Sequence, residues 1–150
     1  MLRTTLAASS PWTAPAGRPF VTSIVVSNGT PSATASRDVS SVAGIGADAR
    51  YLYVTDDKNA VLALDRASGA SIWRQDKLVD RNVSAPLALG RHVVVGDLEG
   101  YVHLLSREDG SFAARIATDG SAIGAPPLAL DARSFLVQTR DGGVFAITIQ

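Results

Sequence analysis

Apolar residues in this chain come in short unbroken runs. "AVLAL", "HVVV" and "VFAITI" are apolar at consecutive positions rather than at every second or every third and fourth one. Runs of that length, bounded by polar turns such as "DDKN" and "GDLEG", describe strands buried on both faces. They predict strands over 42–47, 51–55, 60–64 and 71–75, then 84–89, 92–95, 101–105 and 112–117, then 125–130, 134–138 and 143–149. Helix has no place in the pattern, because Gly and Pro punctuate it too often and β-branched residues dominate. Further upstream, "FVTSIVV" (20–26) has strand character and ends at Asn28-Gly29, a turn signal.

The strands repeat at an offset of 41 residues: Arg50 falls on Arg91, Asp56 on Asp97, Val61 on Val102 and Gly69 on Gly110. "PLAL" occurs at 86–89 and again at 127–130, and a third copy with one inserted residue puts Gly142 on Gly100 and Val144 on Val102. A period of about 40 residues built only of strands predicts a β-propeller or a similar array. Blades sandwiched between neighbours explain why the strands are apolar on both faces. The fold class is therefore all-β: a partial propeller of about three four-stranded antiparallel blades over 37–150.

"ALDRASGASIW" (63–73) is the most patterned stretch. Read as the hairpin joining the third and fourth strands of a blade, it gives each marked residue a physical task. The Asp65 carboxylate accepts bonds from backbone N–H groups ahead of it. Gly69 takes the left-handed conformation that the loop needs. Trp73, on the outermost strand, lies over the next blade. Gly110 is the corresponding turn position in the second copy, where Trp73 falls on Ala114; Asp97, Gly100 and Gly142 are structural positions of the other turns in the later copies.

Composition divides the chain. Residues 1–36 hold no Asp or Glu, and all 14 acids lie from Asp38 onward. The opening segment carries Arg3 and Arg18 among Ala, Ser, Thr and Pro, the bias of an organellar transit peptide. It lacks the sustained apolar core of a bacterial secretory signal, and Pro11 and Pro15 interrupt it. It reads as a low-complexity, poorly ordered or non-native segment, with at most the one strand. Lys and Arg balance Asp and Glu at 14 each, which gives no reason to expect nucleic acid or an anionic membrane as partner. There is no cysteine, hence no disulfide, thiolate site or lipid-anchor Cys, and no apolar run approaches the roughly 20 residues of a spanning helix.

Candidate chemistry is sparse. Asp56-Asp57 and Glu108-Asp109 are adjacent acids in turns, and Ser106 and Ser111 have no His–Asp partners at a recognisable spacing. His103 lies within an apolar strand and reads as a packed side chain; His92 opens a strand beside Arg91 and reads as solvent-facing. A propeller enzyme needs polar groups on the axis-lining first strands. Here those strands are "VAGIGA", "SAPLAL" and "APPLAL", without a single carboxylate, Asn, Arg or His to bind a quinone with its calcium.

The first repeat resembles the propeller repeat of enzymes that use pyrroloquinoline quinone. "GDLEGYVHLLSREDGSFAARI" (96–116), with "SAPLALGRHVVVGD", "TRDGGVFAIT" and "RDVSSVAGIGADARYLYVTDDKNAVLALD" around it, resembles more specifically the late blades of the BamB family of the outer-membrane β-barrel assembly machinery. The resemblance covers about 37–150. It implies an eight-bladed, lipid-anchored propeller at the periplasmic face of the Gram-negative outer membrane, non-catalytic and without a cofactor. It implies as partners a barrel-inserting, BamA-like subunit and nascent outer-membrane proteins. Recognition by strand addition at open sheet edges fits that role, and the same edges predict self-association. The lipobox Cys and signal peptide of the family are not in this sequence, and no partner-contact residue carries over. The expectation is a C-terminal part of such a protein whose start was replaced by a frameshift or a misplaced start codon, which leaves a chain without a function of its own as a further reading. The alternative is a piece of a quinone-dependent dehydrogenase.

Overall fold

A computed structural model describes residues 41–150 in full and residues 20–27 and 30–38 as backbone strands. The acid-poor opening up to residue 19, the Asn28-Gly29 turn signal and residues 39–40 lie outside the described residues. Strand β1 (Phe20–Ser27) pairs antiparallel with β2 (Thr30–Asp38), with a register shift at Ser23/Ile24. Only one strand was expected here. The second is formed by "TPSATASRD", whose small polar residues give no apolar run; its ladder is made by backbone groups, which composition does not reveal. β2 runs across residues 36/37, where composition changes.

Three further sheets follow in chain order, each an antiparallel meander. The first is β3 (Ile45–Ala47), β4 (Tyr51–Thr55), β5 (Val61–Asp65) and β6 (Ser71–Gln75). The second is β7 (Leu87–Leu89), β8 (His92–Gly96), β9 (Tyr101–Ser106) and β10 (Phe112–Ala117). The third is β11 (Leu128–Ala129), β12 (Ser134–Gln138) and β13 (Val144–Thr148). β3 approaches β7 and β7 approaches β11, so the first strands of successive sheets converge, as in blades around an axis.

The first strands are shorter than the apolar runs at 42–47, 84–89 and 125–130 led us to expect. Pro86, Pro126 and Pro127 have no N–H for a ladder. The backbone before β7 is also committed elsewhere. Ser84 N–H donates to the Gly96 carbonyl at 2.9 Å, and the Ser84 carbonyl accepts from Thr55 Oγ1 of the preceding sheet at 2.9 Å.

Two apolar clusters hold the sheets face to face. Between the first and second blades lie Tyr53, Val61, Ala63, Trp73, Leu78, Val83, Val93, Val95 and Leu105. Between the second and third lie Leu89, Val94, Val102, Leu104, Ile123, Phe135 and Val137. Val93 and Val95 point one way and Val94 the other, because successive side chains leave opposite faces of a strand. The unbroken "HVVV" run thus serves two interfaces at once. Close approach also fixes Gly96, where a Cβ would collide with Ile123 of the next blade link.

Candidate functional site

The described side chains that combine polarity with burial sit at hairpin ends and in the grooves between blades. The hairpin of "ALDRASGASIW" is polar but accessible to solvent at its turn. Asp65 Oδ1 accepts from the N–H groups of Ala67 (3.2 Å) and Ser68 (2.8 Å) and from the Ser68 hydroxyl (2.7 Å). The Ser68 hydroxyl, followed by its N–H, holds the Asp65 carboxyl below its ordinary pKa. Gly69 has φ +70° and donates its N–H to the Asp65 carbonyl at 2.8 Å.

Trp73 lies across the next blade. Its Nε1–H donates to the Arg107 carbonyl at 2.9 Å, and its ring covers Gly110, where φ is +72° and a Cβ would come 2.8 Å from Trp73 Cδ2. Gln75 Nε2 reinforces the joint by donating to the Gly110 carbonyl at 2.8 Å. Gly110 therefore answers two demands, backbone conformation and close approach, one on each side of the interface.

The hairpins between second and third strands form another set. Asp56, Asp97 and Thr139 occupy one position and donate their N–H to the carbonyls of Ala60, Tyr101 and Gly143. Asn59, Gly100 and Gly142 occupy another, with φ of +64°, +78° and +95°. Asp56 Oδ1 takes the N–H groups of Lys58 and Ala60 and its Oδ2 pairs with Arg74 at 2.9 Å, so this member of the Asp56-Asp57 pair is spent on a turn.

The second blade differs. Asp97 and His103 are both buried, and His103 Nε2 lies 2.8 Å from Asp97 Oδ2. A carboxylate only accepts, so Nε2 carries the hydrogen. The same Oδ2 accepts from Arg81 Nε at 2.8 Å, while Oδ1 accepts from the N–H groups of Glu99 (3.0 Å) and Tyr101 (2.9 Å). Burial works against the charge of Asp97, but the bonds from His103, Tyr101 and Arg81 outweigh it and hold the carboxyl below its ordinary pKa. Arg81 also pairs with Glu99 and has its own pKa raised, chiefly by Asp97. His103 Nδ1 is buried and has no partner among the described residues.

Sequence reasoning missed Arg81, which comes from the link between blades and carries no repeat signal. It also missed Asp48. That carboxylate accepts from the N–H groups of Arg50 and Tyr51 (2.7 Å each) and from Tyr53 Oη (2.8 Å), and pairs with Arg107 of the next blade at 2.9 Å. Burial raises the Asp48 pKa, yet the Tyr51 and Arg50 N–H groups, Tyr53 and Arg107 together bring it below the ordinary value. Burial and then Asp48 push Tyr53 up. A signal was present: "DAR" occurs at 48–50 and 131–133, and Asp131 Oδ1 likewise accepts from Arg133 and Ser134.

The remaining candidates are dispersed. Asp109 is bound to Ser111 through the backbone N–H and the hydroxyl, and Ser106 Oγ accepts from the Glu108 N–H. His92 is half-buried rather than solvent-facing, beside Arg50, Arg91 and Arg107 in a groove at the other end of the blades. The three convergent strands present only Ile45, Gly46, Ala47, Leu87, Ala88, Leu89, Leu128 and Ala129. Among the described residues no group of three or more His, Asp or Glu side chains is placed to hold a metal ion.

Comparison with known proteins places these blades. A family model described as outer membrane protein assembly factor BamB matches residues 13–75. BamB of Burkholderia pseudomallei is 49% identical over 106 residues, covering 71% of this chain and 28% of that protein. BamB of Bordetella pertussis is 41% identical over 112 residues (75% and 29%), and that of Escherichia coli is 36% identical over 112 (75% and 28%). The chain thus spans less than a third of the length of these relatives. In fold it is similar to BamB from Moraxella catarrhalis, with a TM-score of 0.71 at 23% identity over 79% of this chain and 34% of that one. A europium-containing methanol dehydrogenase shares the fold more distantly, with a TM-score of 0.57 at 15% identity over 68% and 22%. In sequence over most of its length and in the stacking of its blades, the propeller region of this chain is similar to part of BamB.

Proposed function

We propose that residues 37–150 act as part of a non-catalytic interaction propeller in outer-membrane β-barrel protein assembly, at the periplasmic face of the outer membrane. The observation that carries this reading is the 49% identity to a protein named outer membrane protein assembly factor BamB, over 106 residues and 71% of this chain. The site chemistry supports it. Most buried polar side chains close turns or join blades, and the convergent strands offer no oxygen ligand or base for a quinone cofactor. The partners on this reading are a BamA-like barrel-inserting subunit and nascent barrel strands, met at sheet edges. The test is to direct the tagged chain to the periplasm of a Gram-negative host and probe the detergent-solubilised eluate for the barrel-inserting subunit. Co-elution supports the reading. Its absence, together with tight binding of pyrroloquinoline quinone in the presence of calcium, overturns it in favour of a dehydrogenase origin.

A further inference from the structure

We propose that the groove between the first two blades, floored by His103 and rimmed by Lys77, Arg81 and Arg115, receives a carboxylate-bearing side chain of an extended peptide laid along β10. A cavity of about 410 Å³ opens there between β10 and the 76–82 link, with Leu78 and Phe112 as its apolar walls. Three observations converge on it. His103 is 2% exposed, yet its Nδ1 has no partner among the described residues, and this ring lines the cavity. Nδ1 of a neutral ring accepts a hydrogen and that of a protonated ring donates one, so a carboxyl group can satisfy it in either state. Among the described residues, no carboxylate pairs with Lys77 or Arg115; the Arg115 guanidinium instead rests over the Tyr101 ring, 4.6 Å from its centroid. The rim therefore carries positive charge beyond what Asp97 and Glu99 compensate at Arg81.

The third observation is the strand edge. Among the described residues, β10 pairs only with β9. The Thr118 N–H donates to the Gly100 carbonyl, and Ile116 and Ala114 lie opposite Val102 and Leu104. The alternation of an antiparallel ladder then turns the backbone N–H and C=O of Arg115 and Ala117 outward. Arg115 lies directly opposite His103, so its side chain shares the face of the groove. A strand added to this edge places every second side chain on that face. The other blades do not offer the same chemistry. The position of His103 is Leu62 in the first and Phe145 in the third, and the position of Arg115 is Arg74, which Asp56 already neutralises.

The inference needs only this groove and stands apart from the role in outer-membrane assembly. It is tested on the full 150-residue chain with a terminally blocked Thr-Val-Glu-Val-Thr peptide and its Thr-Val-Gln-Val-Thr counterpart. Binding is followed by NMR of the two histidine rings and the backbone amides. We expect saturable shifts at the His103 ring and the Arg115 and Ala117 amides, with His92 unmoved. Affinity should fall at least about tenfold for the Gln peptide and for the Arg115→Ala chain, whose exposed side chain leaves the fold intact. Equal affinity for the two peptides, shifts confined to β13, or no binding at millimolar peptide each overturns the proposal. Failure to co-elute with a barrel-inserting subunit leaves it untouched.

Discussion

Trp73 and Asp97 each connect parts of the chain far apart in sequence, and each can be tested singly. Replacing Trp73 by Ala removes a buried ring and its bond to the Arg107 carbonyl. The expected loss is about 3–5 kcal/mol of unfolding free energy in urea. Trp73→Phe keeps most of the packing and loses the hydrogen bond, about 1 kcal/mol. If the two variants cost the same, the ring is not the joint between blades. Asp97 is a buried charge with its partners in place, and Asp97→Asn should cost about 3–5 kcal/mol near neutral pH by leaving Arg81 and His103 without their carboxylate. Because the native pKa values of Asp97 and Asp48 lie below the ordinary 3.8, their stabilisation is complete above that value and is lost as pH falls through the native ones. The urea midpoint should therefore drop on acidification from about pH 5 to pH 2, less steeply in Asp97→Asn; equal slopes would show that Asp97 does not carry the effect.

At the scale of elements, glycines that look alike in the repeat do different work. Gly110→Ala forces a side chain into a left-handed residue and drives Cβ into the Trp73 ring. Gly142→Ala meets the backbone demand alone, with open space around its Cβ. Alanine at Gly142 should cost about 1–2 kcal/mol, and at Gly110 clearly more, with about 1–3 kcal/mol of overpacking added. Equal melting temperatures for the two variants would remove the close approach from the account. This difference also shows what was legible. The strand positions, the repeat and the turn glycines follow from apolar runs and spacing, since a chain buried on both faces writes its strands as unbroken runs. The partner of Gly110 does not follow, because Trp73 belongs to another blade and contacts between blades leave no periodicity within one. The same holds for Arg81 on Asp97 and Arg107 on Asp48: these ion pairs depend on where a link or a neighbouring blade's hairpin passes a turn. β2 escaped for a different reason, having no apolar run to announce it.

For the whole molecule, the decisive contrast is between the covered second blade and the third. Strands β8 and β9 are buried over most of their length on both faces, whereas β13 alternates. Phe145, Ile147 and Ile149 pack toward the second blade, and Val144, Ala146 and Thr148 are exposed on the other side. Val144 is 65% exposed, and in the same sheet Leu128 is 63% exposed. Among the described residues, the ladder of β13 is made to β12 alone. The Thr139 N–H bonds the Gly143 carbonyl and the Ile149 N–H bonds the Arg133 carbonyl, so alternation turns the backbone groups of Val144, Ala146 and Thr148 outward. An apolar face and an unpaired edge on the same strand form the combination that sheet proteins guard with charge. The 150-residue chain should therefore self-associate, with a weight-average mass in sedimentation equilibrium that rises with concentration. Lysine at Val144 and Thr148 together should abolish that rise while leaving the urea midpoint in place, because neither side chain enters the core between the blades. A concentration-independent mass for the unmodified chain, or association that survives both lysines, would place the contact elsewhere. The edge of β10, where Arg115 already supplies a charge, is then the next strand to alter.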